Sequence, residues 1–347
     1  MFRFILITLG ALAIYILPVL VGATAVLYFF DSNFLQAVES TTDKKVMLEV
    51  SKAWDRKTIA KELEKKGIIK SWMSFYYLSD LGKDGSENKP IVAGEYELSP
   101  GQTPKEVIAT LLSGKTVVHE INIPPGITVN KASDLLAESG LIKKENAFEA
   151  LRDQHLMREL GVPAYIPEGY LIAGTYEFSR PIKSRDIVRT IVEIGQQTIE
   201  QGIPDWKKRA DELGLRPYQV LTLASLIELE AEKAEERPNV AAVYHNRLRI
   251  GMHLKSKATL MYGLPSGTVE PDAEDYKAPG PYNTYIATGL PPSPICSPSV
   301  ESIRAILHPA DSDHLYYIKT DQGEYVYAST FKKHKKNLKK LGIVEVE

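Results

Sequence analysis

Cysteine is all but missing from this 347-residue chain: Cys296 stands alone, so no internal disulfide can form and packed cores must hold the fold. Histidine is scarce as well. The seven histidines share no spacing of the kind a zinc site needs, which argues against metal chemistry. An excess of one charge is also lacking, since 42 Lys and Arg against 44 Asp and Glu leave a net charge of −2, and no nucleic-acid footprint is indicated. Long hydrophobic runs are absent with one exception. Between Arg3 and Asp31, the 27 residues from Phe4 to Phe30 carry no charge. At about 1.5 Å per residue, a helix of that length crosses a hydrocarbon core of about 30 Å, even with Pro18 inside it.

Residues 1–31 therefore read as a short tip and a transmembrane anchor, with 4–30 in the bilayer, followed by a polar tether over 32–45. Arg3 and the terminal amine on one flank, with Asp31 on the other, direct the N-terminus to the cytoplasm and the bulk of the chain outside. A cleaved signal peptide is the competing reading, because Ala23-Thr24-Ala25 offers a site after Ala25. The apolar run continues to Phe30, however, and exceeds a signal-peptide core.

Beyond the tether the chain repeats itself. Leu63, Gly67, Lys70 and Phe75 match Leu136, Gly140, Lys143 and Phe148 at an offset of 73. Val92-Ala-Gly-Glu-Tyr96-Glu-Leu-Ser99 recurs as Ile172-Ala-Gly-Thr-Tyr176-Glu-Phe-Ser179 at an offset of 80. Two copies of one small unit follow, residues 46–118 and 119–195, each a strand, a helix closed by glycine, a second helix, an Ala-Gly-x-Tyr-Glu strand and a helix. The segment 80–90 reads as a surface insertion in the first copy.

A third region, 205–347, opens with a long helix expected over Pro217–Glu236, with a second over Asn239–Arg249. From Gly263 to Ser299 the chain is crowded with Pro and Gly among aromatics, the composition of long ordered loops that line a site. A further helix, two strands and a lysine-rich C-terminal segment end the chain. The overall class is α+β.

The long helix carries the candidate chemistry. At 100° per residue, Glu228, Glu232 and Glu235 fall within about 60° of one another and read as a solvated acidic face. Counted from Leu223, Leu226, Ile227 and Ala234 lie at about 300°, 40° and 20°, and Glu230 lies at about 340°, inside the apolar stripe. A carboxylate in such surroundings is costly to ionise, and a group that keeps its proton can deliver it as a general acid. The alternative is a buried structural pair with an arginine such as Arg247.

Four motifs in order resemble the YceG-like family of endolytic murein transglycosylases: Leu223-Ala-Ser-Leu-Ile-Glu-Leu-Glu230, Glu236-Arg-Pro-Asn-Val240 running on through Asn246-Arg247 to Gly251-Met252, Tyr282-Asn-Thr-Tyr285 with Thr288-Gly-Leu-Pro-Pro292, and His308-Pro309. The resemblance implies LysM-like units before a catalytic domain. It implies a single-pass protein of the bacterial inner membrane that faces the periplasm or cell exterior. Its activity would be cleavage of MurNAc-β-1,4-GlcNAc bonds in nascent glycan strands to leave 1,6-anhydro ends, which limits strand length. Glycan strands and cell-wall synthases are the implied partners, and no cofactor is implied. The catalytic position falls on Glu230. Tyr282, Asn283, Thr284, Tyr285, Ser256 and Thr259 are implied to bind substrate, with Asn246 and Arg247 in support. The rival reading is a non-catalytic scaffold of the same architecture that binds strands and positions synthases. One departure stands out: where the family has Leu-Gln-(Thr/Ser)-Asp-Pro-Thr, this chain has Leu254-Lys255-Ser256-Lys257-Ala258-Thr259. An acid has become a base, a change expected to bear on the charge around Glu230 and on substrate positioning.

Overall fold

The computed structural model describes residues 18–25, 34–80, 90–320 and 322–343. Among them no helix is long and apolar enough to cross a membrane. The anchor expected over 4–30 lies mostly outside the described residues, with only 18–25 seen as helix, and of the insertion expected over 80–90, residues 81–89 lie outside them too. The fold of the described residues is mixed α+β, with three two-stranded antiparallel sheets among helices. Two compact units divide the chain: Met1–Val118 with Ser179–Pro181, and His119–Phe178 with Ile182–Glu347.

In the first unit, β1 (Val46–Val50) pairs with β2 (Gly94–Leu98), Val46 facing Leu98, and the helices are α1 (Arg56–Lys65), α2 (Trp72–Asp80) and α3 (Pro104–Ser113). Their local chemistry is explicit. Asp55 caps α1 by accepting from Thr58 N at 2.7 Å, and Thr103 and Glu106 form a reciprocal capping box on α3. The core joins Leu48, Ile59, Leu63, Phe75, Tyr96 and Leu111.

The second unit opens with the same arrangement. β3 (His119–Ile123) pairs with β4 (Gly174–Phe178) in the matching register, His119 facing Phe178, with α4 (Val129–Glu138), α5 (Lys144–Leu151), α6 (Gln154–Glu159) and α7 (Ser184–Gly202). The repeated residues have backbone reasons. Gly67 and Gly140 take φ of 70° and 71° directly after α1 and α4, a left-handed conformation that a side chain disfavours. Tyr96 and Tyr176 each return a hydroxyl to the carbonyl four residues back, Val92 O at 2.7 Å and Ile172 O at 2.6 Å.

The rest of this unit comprises α8 (Trp206–Glu212), α9 (Pro217–Glu230), α10 (Arg237–Arg249), α11 (Lys257–Gly263), α12 (Val300–Leu307), a hairpin of β5 (Tyr316–Lys319) and β6 (Tyr325–Ala328), and α13 (Phe331–Leu341). One hydrophobic core runs from Ile121 to Leu307, and α9 is buried within it from Val220 to Ile227. On α13 all six lysines are exposed, while His334 and Leu338 are buried.

The helix expected over Pro217–Glu236 stops six residues early. Ala231 is extended, at φ −113° and ψ 98°. Two of the carbonyls at this end find partners from elsewhere: Glu230 O accepts from the Tyr325 hydroxyl and Ala231 O from Arg237 Nε at 3.3 Å. A short 3-10 turn, Ala234–Glu236, leads into α10, which begins at Arg237 rather than Asn239, with Pro238 in its first turn.

Candidate active site

Ending α9 at Glu230 changes the setting of the acidic residues. The position of Ala234 on the same apolar stripe no longer applies, and Glu230 is half-buried at a helix end instead of deep in a core. Glu228 does not lie on a solvated face. Its side chain is 3% exposed and pairs with Arg237 Nη2 at 2.8 Å. It also accepts from Ser299 N at 2.8 Å and Ser299 Oγ at 2.6 Å. The buried structural Glu–Arg pair exists, then, but it is Glu228–Arg237. It ties α9 to the starts of α10 and α12.

Glu230 is held at both oxygens by hydroxyls. Ser256 Oγ donates to Oε1 at 2.7 Å, and Tyr317 OH donates to Oε2 at 2.8 Å. Three elements converge: the last residue of α9, the N-cap of α11, and β5. Tyr244 of α10 lies behind, its hydroxyl 3.4 Å from that of Tyr317. Burial first, and then the Glu230 charge, push both Tyr317 and Tyr244 well above the ordinary tyrosine range, so both hydroxyls keep their protons. Tyr325 is pushed up to about 12 for the same two leading reasons.

Ser256 is itself fixed by a buried hydroxyl cluster. Its amide donates to Thr284 Oγ1 at 3.0 Å, and Thr259 Oγ1 lies 2.8 Å from Thr284 Oγ1 and donates to Ser256 O at 2.8 Å. Thr259 and Thr284 are therefore buried supports for the Ser256 hydroxyl. Asn283 is buried as well and closes its own loop. Nδ2 donates to Asp275 O, Tyr276 O and Ala278 O at 3.1, 3.1 and 2.8 Å, and Oδ1 accepts from Tyr285 N at 3.1 Å. These contacts leave Asn283 no free donor, in contrast to the sugar-binding role expected for it. Tyr285 is half-buried, edge-on to Tyr276 at 4.8 Å, and is raised by burial, then by Tyr276 and the Glu230 charge. Tyr282 turns elsewhere, with its hydroxyl 2.6 Å from Ser293 Oγ and its ring tilted on Tyr262 at 4.9 Å.

Asn246 and Arg247 brace α10. Asn246 Nδ2 donates to Ser312 O and His314 O at 2.8 and 3.0 Å, and Arg247 donates to Leu315 O at 2.7 Å and to Leu254 O. They set the positions of β5 and of the segment before Ser256, and so act at one remove from Glu230. The lysines of the altered motif are both exposed: Lys257 forms an ion pair with Glu270, and Lys255 has φ of 49°. Among the described residues no group of His, Cys, Asp and Glu is arranged to hold a metal ion.

Sequence reasoning missed Tyr317, Tyr325 and Glu168. Glu168, 3% exposed, accepts from Val129 N at 3.1 Å and from Tyr262 OH at 3.0 Å, and burial raises it to about 7. It joins the start of α4 to α11.

The model of the YceG-like family matches residues 48–340. Over 326 residues the chain is 29% identical to the endolytic murein transglycosylase of Bacillus subtilis (strain 168), covering 89% of this chain and 88% of that protein. It is 26% identical to the endolytic murein transglycosylase of Streptococcus pneumoniae serotype 2, with 90% of this chain covered but 60% of that longer protein. A crystal structure of a yceG-like protein from Listeria monocytogenes superposes with a TM-score of 0.57 at 26% identity, covering 85% of this chain and 100% of that one.

Proposed function

The chain belongs to the YceG-like family, and from that membership and the Glu230 geometry we propose that it is a lytic transglycosylase that cuts peptidoglycan strands internally. The observation that carries the reading is a single half-buried carboxylate with one hydroxyl donor on each oxygen, at the meeting point of α9, α11 and β5.

The proposed chemistry uses one carboxyl twice. Protonated Glu230 gives its proton to the glycosidic oxygen as the bond from that oxygen to C1 of MurNAc breaks, and the GlcNAc 4-hydroxyl leaves. The resulting carboxylate takes the proton of the MurNAc 6-hydroxyl as O6 bonds to C1, closing the 1,6-anhydro ring. Atoms balance without water, so a second carboxylate of the kind a hydrolase uses to activate water or to form a covalent intermediate is not required. Ser256 and Tyr317 fix the carboxyl orientation, and their hydroxyls stabilise the charge that appears on it as the first proton leaves. Tyr285, beside Glu230, is assigned to the sugar cleft, while Thr259, Thr284 and Asn283 hold Ser256 and the 275–285 loop in place.

The uncharged run from Phe4 to Phe30 supports an anchor in the plasma membrane, with the catalytic unit outside. The test is mass spectrometry of uncrosslinked strands incubated with native protein or with Glu230→Gln. Anhydro-ended internal fragments are expected from the native protein alone. Strand retention without cutting by both proteins would favour a scaffold.

A further inference from the structure

The Thr288-Gly-Leu-Pro-Pro292 motif takes no part in the Glu230 site. Leu290 and Pro291 instead line a cavity of about 780 Å³ together with Tyr170, Arg216, Tyr218 and Gln219. The cavity lies at the first turn of the 14-residue helix α9, whose last residue is Glu230. At 1.5 Å rise per residue the two ends are about 20 Å apart. Its size falls within the range of small-molecule pockets, roughly 300–1,000 Å³.

Two features point to an occupant. The Tyr170 and Tyr218 rings stack at 6.4 Å with 25° between their planes. The Tyr218 hydroxyl is engaged, donating to Pro292 O at 2.7 Å, whereas Tyr170, a largely buried residue whose hydroxyl is not itself sealed from solvent, makes no side-chain hydrogen bond among the described residues. The hydroxyl is thus a free donor that a ligand in the cavity can reach. Burial keeps Tyr170 protonated, so it remains a donor. The second feature is charge: Arg216, an exposed side chain, is the one charged residue of the lining and enters no salt bridge among the described residues. The other polar groups are largely engaged, with Thr222 Oγ1 donating to Tyr218 O at 2.9 Å and Gln219 Oε1 accepting from Arg216 N at 2.9 Å. Such a wall is too poor in free donors and acceptors for a polyhydroxylated sugar. It suits small apolar side chains, a carbonyl to accept from Tyr170, and a carboxylate for a guanidinium.

We propose that this cavity binds the peptide branch of a glycan strand, with a peptide carboxylate on Arg216 and a peptide carbonyl on the Tyr170 hydroxyl. The assignment rests on the transglycosylase reading for its substrate. It makes the enzyme sense peptide substitution on a saccharide away from the bond being cut.

The experiment compares KM and kcat on uncrosslinked strands that carry their peptides and on strands stripped of them by an amidase. Native protein is expected to show a KM about tenfold lower on peptide-bearing strands, with kcat alike on both. In Arg216→Ala and in Tyr170→Phe that KM ratio falls towards one. Calorimetry of the Glu230→Gln protein with a synthetic N-acetylmuramoyl tetrapeptide, as free acid and as amide, reads the site without turnover, and the acid is expected to bind more tightly. Equal KM on both strands, with no preference for the acid, overturns the cavity assignment and leaves the transglycosylase reading intact. Acid-specific binding that Arg216→Ala removes, in a protein that cuts neither strand, has the opposite meaning.

Discussion

Replacing Tyr317 by Phe removes one oxygen and little else. The ring keeps its place beside Tyr325, 6.0 Å between centroids, and Ser256 still holds Oε1 of Glu230 at 2.7 Å. What is lost, besides the long 3.4 Å contact with the Tyr244 hydroxyl, is the 2.8 Å hydrogen bond to Oε2, a bond to a group that becomes an anion as the leaving oxygen is protonated. Hydrogen bonds to charged groups are worth about 1.5–3 kcal/mol. The bond is strongest after proton donation, so its loss falls on the transition state and leaves binding of the intact strand nearly untouched. At about 1.4 kcal/mol per tenfold, kcat is expected to drop on the order of 10- to 100-fold, with KM within about twofold. Initial rates of anhydro-end formation give both constants, and the far-ultraviolet spectrum and melting temperature report on the fold. A Tyr317→Phe protein with native kcat would refute the assignment of Tyr317 as a positioning residue for Glu230.

Other expectations follow from the same contacts. Arg237→Ala leaves the buried Glu228 carboxylate without its cation and is expected to destabilise the second unit by about 3–5 kcal/mol in urea unfolding; a loss below about 1 kcal/mol would contradict a buried pair. Glu168 is raised in the fold to about 7 from an ordinary 4.5, so the native state holds a proton that the unfolded chain has released. Stability from this group is therefore fully present below pH 4.5 and declines until the pH passes about 7, by on the order of 3 kcal/mol. Glu168→Gln should flatten that slope in unfolding curves taken between pH 5 and pH 8, and an unchanged slope would exclude Glu168 as its source. Lys257 and Glu270 are 47% and 69% exposed, so Lys257→Ala is expected to alter stability by less than about 1 kcal/mol and kcat by less than about threefold. A larger change in turnover would restore a direct link between this lysine and Glu230.

The duplication was legible because its repeated residues answer to local rules. Gly67 and Gly140 stop helices in a left-handed conformation, and Tyr96 and Tyr176 reach back four residues along their own chain. Glu230 stands out in its motif, but the helical geometry around it was not legible. The end of α9 is met by Tyr325, 95 positions away in sequence, and by Arg237 from the following helix. No local pattern reports such partners, and the acidic stretch 228–236 continues smoothly past the break. The same distance hid Tyr317, which lies 87 positions from the carboxylate it touches. The Tyr282–Tyr285 motif marked out the loop, but the hydrogen bonds of Asn283 to backbone carbonyls and of Thr284 to the Ser256 amide were not legible in it. A sequence does not distinguish a side chain that touches substrate from one that holds the loop touching it.

The central claim is that one carboxyl performs both proton transfers and that the 6-hydroxyl, not water, closes on C1. Digestion of uncrosslinked strands by the native protein in ¹⁸O-labelled water tests it directly. The account requires new MurNAc ends that lack one water and carry no label. Labelled reducing ends formed from the start of the reaction would mean that water attacks C1, and the single-carboxylate transglycosylase mechanism would be wrong.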